Sequence, residues 1–209
     1  IVDFAVEMGR LDEERMMGKL LDRNEATRAD VENLARVIAD FHCRIERMKA
    51  TDGYNSPEMV WEHIADLGAH RGAIEKVAGM GKTADLVLER SSGFIKKNEG
   101  LLLRRLADGF VRECHGDLHS GNIFIEKDGR NHVIDCIEFS KDFRRVDVIS
   151  EIAFMAMDLD AHNREDLAKA FVDAYATKTR DPQIRTLLPF YKCYRANVRA
   201  KIAAIEFAG

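Results

Sequence analysis

At 209 residues, 46% hydrophobic and 33% charged with only three prolines, the chain has ordinary globular composition and enough length for one substantial core. A net charge of -4 with dispersed basic residues excludes nucleic-acid binding by a basic stripe, and no run of eighteen apolar residues or signal-peptide pattern marks a membrane span. Cys43, Cys114, Cys136 and Cys193 form no C-x-x-C pair, which argues for reduced thiols in a cytoplasmic protein, with Cys114 and Cys136 expected to be small apolar packing residues.

Residues 1 to 8 alternate as a single strand, and Leu11 to Leu21 reads as a short helix. A clearer helix starts at Thr27, whose hydroxyl caps the first turn with Asp30 three positions on; Val31, Leu34, Ile38, Phe41 and Ile45 then form an apolar stripe assigned to the core. Ser56-Pro57 opens another helix carrying Trp61, Ile64 and Leu67, because a capping residue followed by proline suits a helix start. Gly79-Met80-Gly81-Lys82-Thr83 imitates the end of a phosphate-binding loop. Lys76 stands where that motif needs glycine and no strand precedes it, so the segment reads as a turn between helices. The next helix covers about Thr83 to Leu106 with Gly109 as its stop. Val148 to Leu159 is apolar on nearly every side and is expected to run through the centre, followed by amphipathic helices at about Arg164 to Thr179 and Ile184 to Phe207, the last with a face of Tyr191, Tyr194, Val198 and Ile202.

Between these helices lies His115-Gly116-Asp117-Leu118-His119-Ser120-Gly121-Asn122, followed by Val133-Ile134-Asp135. An acid two positions after a histidine, an asparagine five positions after the acid, and a second acid thirteen further on form the pattern of metal-assisted phosphoryl transfer to a hydroxyl. Such a reaction needs a carboxylate to accept the hydroxyl proton, assigned to Asp117, and oxygen ligands for Mg²⁺, assigned to Asn122 and Asp135. The strand Asn122 to Ile125, turning at Asp128-Gly129, is expected to pair with Val133 to Asp135 and hold both ligands side by side. Two other readings stay open: a zinc hydrolase using His115, Asp117 and His119, which leaves Asn122 and Asp135 without a role, and a noncatalytic scaffold, against which the intact polar set weighs.

With these motifs the chain resembles the aminoglycoside phosphotransferase-like kinases, small-molecule relatives of the protein kinases. The resemblance rests on His-Gly-Asp-Leu-His-Ser-Gly-Asn, on Ile134-Asp135-Cys136-Ile137-Glu138-Phe139, and on Val2 to Met8 as the strand entering the adenine-contacting hinge. It implies an α+β, mostly helical C-terminal lobe of a protein-kinase-like fold, with a small antiparallel hairpin carrying the catalytic and metal residues. It further implies ATP and Mg²⁺ as cofactors, a small-molecule hydroxyl substrate, an adenine contact at the backbone of Glu7, Met8 and Gly9, and a weaker expectation of phosphate contact at His119. Residues 1–9 would be the end of an N-lobe strand and the hinge, and 10–209 the C-terminal lobe, with about 50–106 a helical insertion that shapes the acceptor pocket. Asp147 and Glu151 fall where the family places acids that support the catalytic loop. A glycine-rich loop and strand lysine have no room before the hinge, so the chain is expected to lack its N-terminal lobe and to bind ATP poorly alone. The acceptor is not readable; clustered acids such as Glu138, Asp142, Asp158 and Asp160 would suit a polycationic aminoglycoside.

Overall fold

The apolar periodicity of the chain is helical nearly throughout, and the computed structural model, which describes residues 9–208, is 69% helix. The expected helix over Leu11 to Leu21 is broken: a 3₁₀ turn at Glu13–Arg15 leads to α1 (Met17–Asp22), because Met16 adopts an extended conformation and bridges to Phe124. Thr27 and Asp30 form the anticipated reciprocal capping box at the start of α2 (Arg28–Arg44). Its buried stripe is Val31, Leu34, Ala35, Ile38, Ala39 and His42; the phase differs from expectation at one turn, where His42 is buried and Phe41 only partly so.

α3 (Pro57–Ala69) begins at Ser56, whose hydroxyl accepts from the Met59 amide, and α4 (Arg71–Ala78) ends at Gly79 with φ +65°. α5 (Gly81–Ala107) follows at once, so the imitation of a phosphate-binding loop is indeed a helix-to-helix turn. These helices pack on one another through Leu67, Ile74 and Ala84 and occupy the region expected to be a helical insertion.

Strand is minimal. β1 (Val111–Glu113) pairs antiparallel with β4 (Arg145–Asp147), a pairing that the hydrophobic pattern does not announce. β2 (Ile123–Ile125) pairs with β3 (Asn131–Val133), Ile123 lying opposite Val133. The hairpin therefore forms around Asp128-Gly129 as expected, but Asp135 lies beyond the strand, at φ +62°. α6 (Lys141–Arg144) closes the loop before β4. Of the two cysteines assigned to packing, Cys114 is buried but Cys136 is exposed, because the chain leaves the sheet at Ile134.

α7 (Val148–Ala161) runs through the main core and buries ten of its side chains, Glu151 among them. α8 (Glu165–Thr179) packs on α2 and α7, and α9 (Ile184–Ala208) lies along α7 with Tyr191 and Tyr194 buried. No helix among the described residues is long and apolar enough to cross a membrane.

One buried ion-pair cluster joins three of these elements. Arg105, near the end of α5, places its guanidinium between Asp147, the cap of α7, and Asp181, with contacts of 2.5 to 3.0 Å. Asp147 also accepts from the Ile149 amide at 2.8 Å, so the same carboxylate fixes the start of the central helix. Removing the cation leaves two buried acids uncompensated, a loss of about 3–5 kcal/mol for such a pair. Arg105→Met is expected to lower unfolding stability by that order in urea titration; a change below about 0.5 kcal/mol would show that the cluster is not needed.

Candidate active site

The loop His115–Asn122 leaves β1, crosses the N-terminal end of α7 and closes in a 3₁₀ turn at Ser120–Asn122 that leads into β2. Its path is set by hydrogen bonds to a buried carboxylate. Glu151, in the first turn of α7, accepts the Gly116 amide at 2.7 Å and the His115 amide at 3.2 Å, and His42 Nε2 lies 3.0 Å from the same side chain. The Tyr175 hydroxyl is 2.7 Å from His42 Nδ1, so α8, α2 and α7 all brace the loop from behind. Full burial pushes the Glu151 carboxyl up, but the His42 contact and the two amides outweigh it and hold the carboxyl below its ordinary value. A helix first turn also favours negative charge.

Gly116 turns through φ +87°, and its carbonyl accepts from Arg195 Nη1 of α9 at 3.1 Å. A Cβ there would stand 2.9 Å from the Phe143 carbonyl oxygen and 3.1 Å from Ile137 Cδ1, so the position requires glycine. Farther along, the Ser120 amide donates to Asp158 Oδ2 at 2.8 Å.

Suspended in this way, Asp117 is half-buried and meets Asn122. The Asn122 Nδ2 donates to the Asp117 carbonyl at 3.0 Å and to its Oδ2 at 3.1 Å. His119 Nδ1 accepts the Gly121 amide, which leaves Nε2 to carry the proton and face Asp117 Oδ2 at 3.4 Å. His119 thus addresses the carboxylate, a contact the sequence reading did not foresee. Partial burial pushes the Asp117 carboxyl up, but His119 and then Asn122 outweigh it, and the group stays below its ordinary value. It is a carboxylate at neutral pH.

Asp135 is tied to the same loop through its neighbour. The Ile134 amide donates to the Asn122 carbonyl at 3.0 Å, and the Ile134 carbonyl lies 2.8 Å from His115 Nε2. The exposed Asp135 carboxylate makes no hydrogen bond or ion pair among the described residues, and neither does Asn122 Oδ1. These are oxygen donors left free, the donor type that a hard divalent cation takes.

The zinc alternative fits less well. His115 Nδ1 accepts the Asp117 amide at 3.3 Å and Nε2 is committed to Ile134, so His115 has no ring nitrogen left to bind a metal, and the His119 nitrogens face the Gly121 amide and Asp117. His42, Cys114 and Glu151 also bring donor atoms within 4.8 Å of one another, but His42 and Glu151 are engaged with each other, with Tyr175 and with the loop amides. Burial pushes the Cys114 thiol well up, against the thiolate a metal needs.

Of the expected adenine contacts, Glu7 and Met8 lie outside the described residues. Gly9 is exposed and shares a surface groove with Arg10, Leu11 and the β3 edge from Asn131 to Ile134. Sequence reasoning missed His42 and Arg195, although both fall at helical spacing within apolar stripes, where a buried charge-bearing group signals a specific partner.

The site is thus a loop anchored by a buried carboxylate, carrying an Asp-Asn pair and followed by a hairpin and an acid with no partner among the described residues. Residues 10–187 match the phosphotransferase enzyme family, and the chain belongs to that family, the aminoglycoside phosphotransferase-like kinases. Uncharacterized proteins of Mycobacterium tuberculosis and Mycobacterium bovis are similar to it, each 30% identical over 208 residues, which cover 98% of this chain and 41% of the relative. The chain thus spans less than half the length of these relatives. No solved structure gives a significant match.

The Glu151 anchor makes loop order depend on pH in a defined sense. Its folded value lies below the ordinary 4.5, so its contribution is complete above about that pH and is lost as pH falls further, through the folded value. Exchange protection of the His115 and Gly116 amides is expected to fall across that acid range in the native protein, and Glu151→Gln is expected to weaken it at neutral pH by about 1–3 kcal/mol. Unchanged protection in that variant would remove Glu151 as the anchor.

Proposed function

We propose that this chain is the C-terminal lobe of a kinase that uses ATP and Mg²⁺ to phosphorylate a hydroxyl group of a small molecule. The observation that carries this reading is the Asn122 carboxamide bonded to the Asp117 carboxylate at 3.1 Å, on a loop whose two ends are both tied to the backbone of Ile134, next to Asp135. Family membership supports phosphoryl transfer, and the free oxygens of Asn122 and Asp135 suit the cation such a reaction needs.

In this reading Asp117 orients the acceptor hydroxyl and takes its proton as the new oxygen–phosphorus bond forms and the bond to the departing ADP oxygen breaks. His119 and Asn122 keep Asp117 ionised and fixed, so the base is ready without rearrangement. Asn122 Oδ1 and Asp135 would hold a divalent cation, which would supply charge neutralisation for the transferring phosphoryl group. The left-handed backbone at Asp135 turns the chain out of the hairpin, which leaves its carboxylate unpaired for that role. Gly9, beside β3, belongs with Glu7 and Met8 to the adenine contact, and the carboxamide of Asn131, without a hydrogen-bond partner among the described residues, lines the same groove as Gly9. The free cysteines suit a cytoplasmic enzyme.

Measured in the whole protein by ADP release, Asp117→Asn is expected to lower turnover by about 10²–10⁴-fold, the usual contribution of a positioned base. Asp135→Asn should raise the Mg²⁺ concentration needed for half-maximal rate by about ten-fold or more. Undiminished phosphorylation by the Asp117 variant would disprove the assignment.

A further inference from the structure

Two planar peptides flank the Asp117 Cα, and together they set the direction in which its side chain leaves the backbone. The following peptide is held by Asn122, whose Nδ2 donates to the Asp117 carbonyl at 3.0 Å. The preceding one is held at both ends: the Asp117 amide donates to His115 Nδ1 at 3.3 Å, and the Gly116 carbonyl accepts from Arg195 Nη1 at 3.1 Å. His115 and Asn122 belong to the loop itself, whereas Arg195 comes from α9. We propose that Arg195 is a positioning residue for the base: it fixes the Gly116–Asp117 peptide against the helical core and so aims the Asp117 carboxylate. The proposal rests on the reading of Asp117 as the base.

The guanidinium is itself fixed from α7. Its Nε donates to the carbonyl oxygen and to the Oγ of Ser150, each at 3.2 Å, and its carbon lies 5.1 Å from the Phe154 ring centre and 5.5 Å from that of Tyr194. One rigid fork thus spans α7 and the loop. An ammonium on a flexible stem is a single point of charge and does not reproduce that planar, two-directional grip. Glu151 takes the Gly116 amide at 2.7 Å, so Gly116 sits between an acid of α7 and the guanidinium of α9, at a φ of +87°.

The burial of Arg195 is not explained by ion pairing. A buried cation costs folding free energy that a close carboxylate normally offsets, as Asp147 and Asp181 do for Arg105. Arg195 is only 4% exposed, yet it makes no ion pair among the described residues, and its Nη2 finds no partner there. Its hydrogen bonds go to Gly116 and to Ser150, next to Glu151. The same side chain borders a cleft of about 430 Å³ that opens beside Asp117, bounded by α3, α9 and the segment Ile137 to Phe143. Arg195 therefore stands where the loop, the central helix and the open space beside the base meet.

The test uses Arg195→Lys, which keeps the charge, and Arg195→Met, which keeps the apolar stem. ADP release is measured in the whole protein with ATP and Mg²⁺, water taking the acceptor's place. Both variants are expected to lower turnover by about 10²-fold, the cost of misplacing a catalytic group by about an ångström, with the KM for ATP changed less than about two-fold. In an Asp117→Asn background neither should lower turnover more than about two-fold further, because a residue that acts through Asp117 then has nothing left to aim. In the chain described here, exchange of the Asp117 amide should rise about ten-fold or more in both variants, while the His115 and Gly116 amides held by Glu151 keep their protection.

The proposal is overturned if Arg195→Lys turns over within about two-fold of the native protein, or if the separate losses multiply in the double variants. It is equally overturned if Asp117 exchange is unchanged, or rises together with that of His115 and Gly116, which would mark a general loss of stability. Should water prove too poor an acceptor for ADP release to be read, the exchange comparison decides alone. Failure of the base assignment reads out separately, as undiminished turnover by Asp117→Asn with the exchange pattern as expected.

Discussion

A single buried carboxylate governs the geometry of the site. Glu151 takes the amides of His115 and Gly116 on its two oxygens and contacts His42 on the other side. A loop of this kind has few apolar side chains with which to hold itself down, and its backbone donors must find acceptors away from water. Glu151 supplies those acceptors from the first turn of a helix that is itself immobilised, with Asp147 capping it and Arg105 gripping Asp147. The ordering therefore passes from the ion-pair cluster to α7, from α7 to the loop, and from the loop to Asp117.

The front of the loop is held by neutral or single contacts. Asn122, His119 and Ile134 position Asp117 and the approach to Asp135 through polar contacts of 2.8 to 3.4 Å, and the half-buried Asp117 stays open to the cleft. This division suits phosphoryl transfer, in which the protein contributes orientation and charge placement and performs little covalent chemistry. The rigid side faces the core, and the outer side keeps oxygens that have no partner among the described residues.

Arg195 links the loop to the cleft beside it. It donates to the Gly116 carbonyl and to Ser150, so it belongs to the support of the loop, and it borders the cleft without an ion pair among the described residues. One side chain can thus shape both the position of Asp117 and the polarity of the space beside it. The acids that made a polycationic substrate conceivable are occupied with the loop amide of Ser120 and with Lys192, or lie outside the cleft.

Much of the molecule was legible in the chain because its signals are local. The capping box at Thr27, the Ser56-Pro57 start, the apolar run of α7 and the hairpin turn at Asp128-Gly129 depend on residues a few positions apart, and so does the spacing of Asp117, Asn122 and Asp135. The pairing of β1 with β4, the break at Met16 and the burial of His42 in place of Phe41 were not legible, since each is decided by a partner distant in sequence. Residue types and their spacing alone determined the chemistry the site can perform. Only the tertiary structure decided which buried groups hold the loop and which charges face the cleft, because hydrogen bonds and desolvation act between surfaces that meet after the helices have packed.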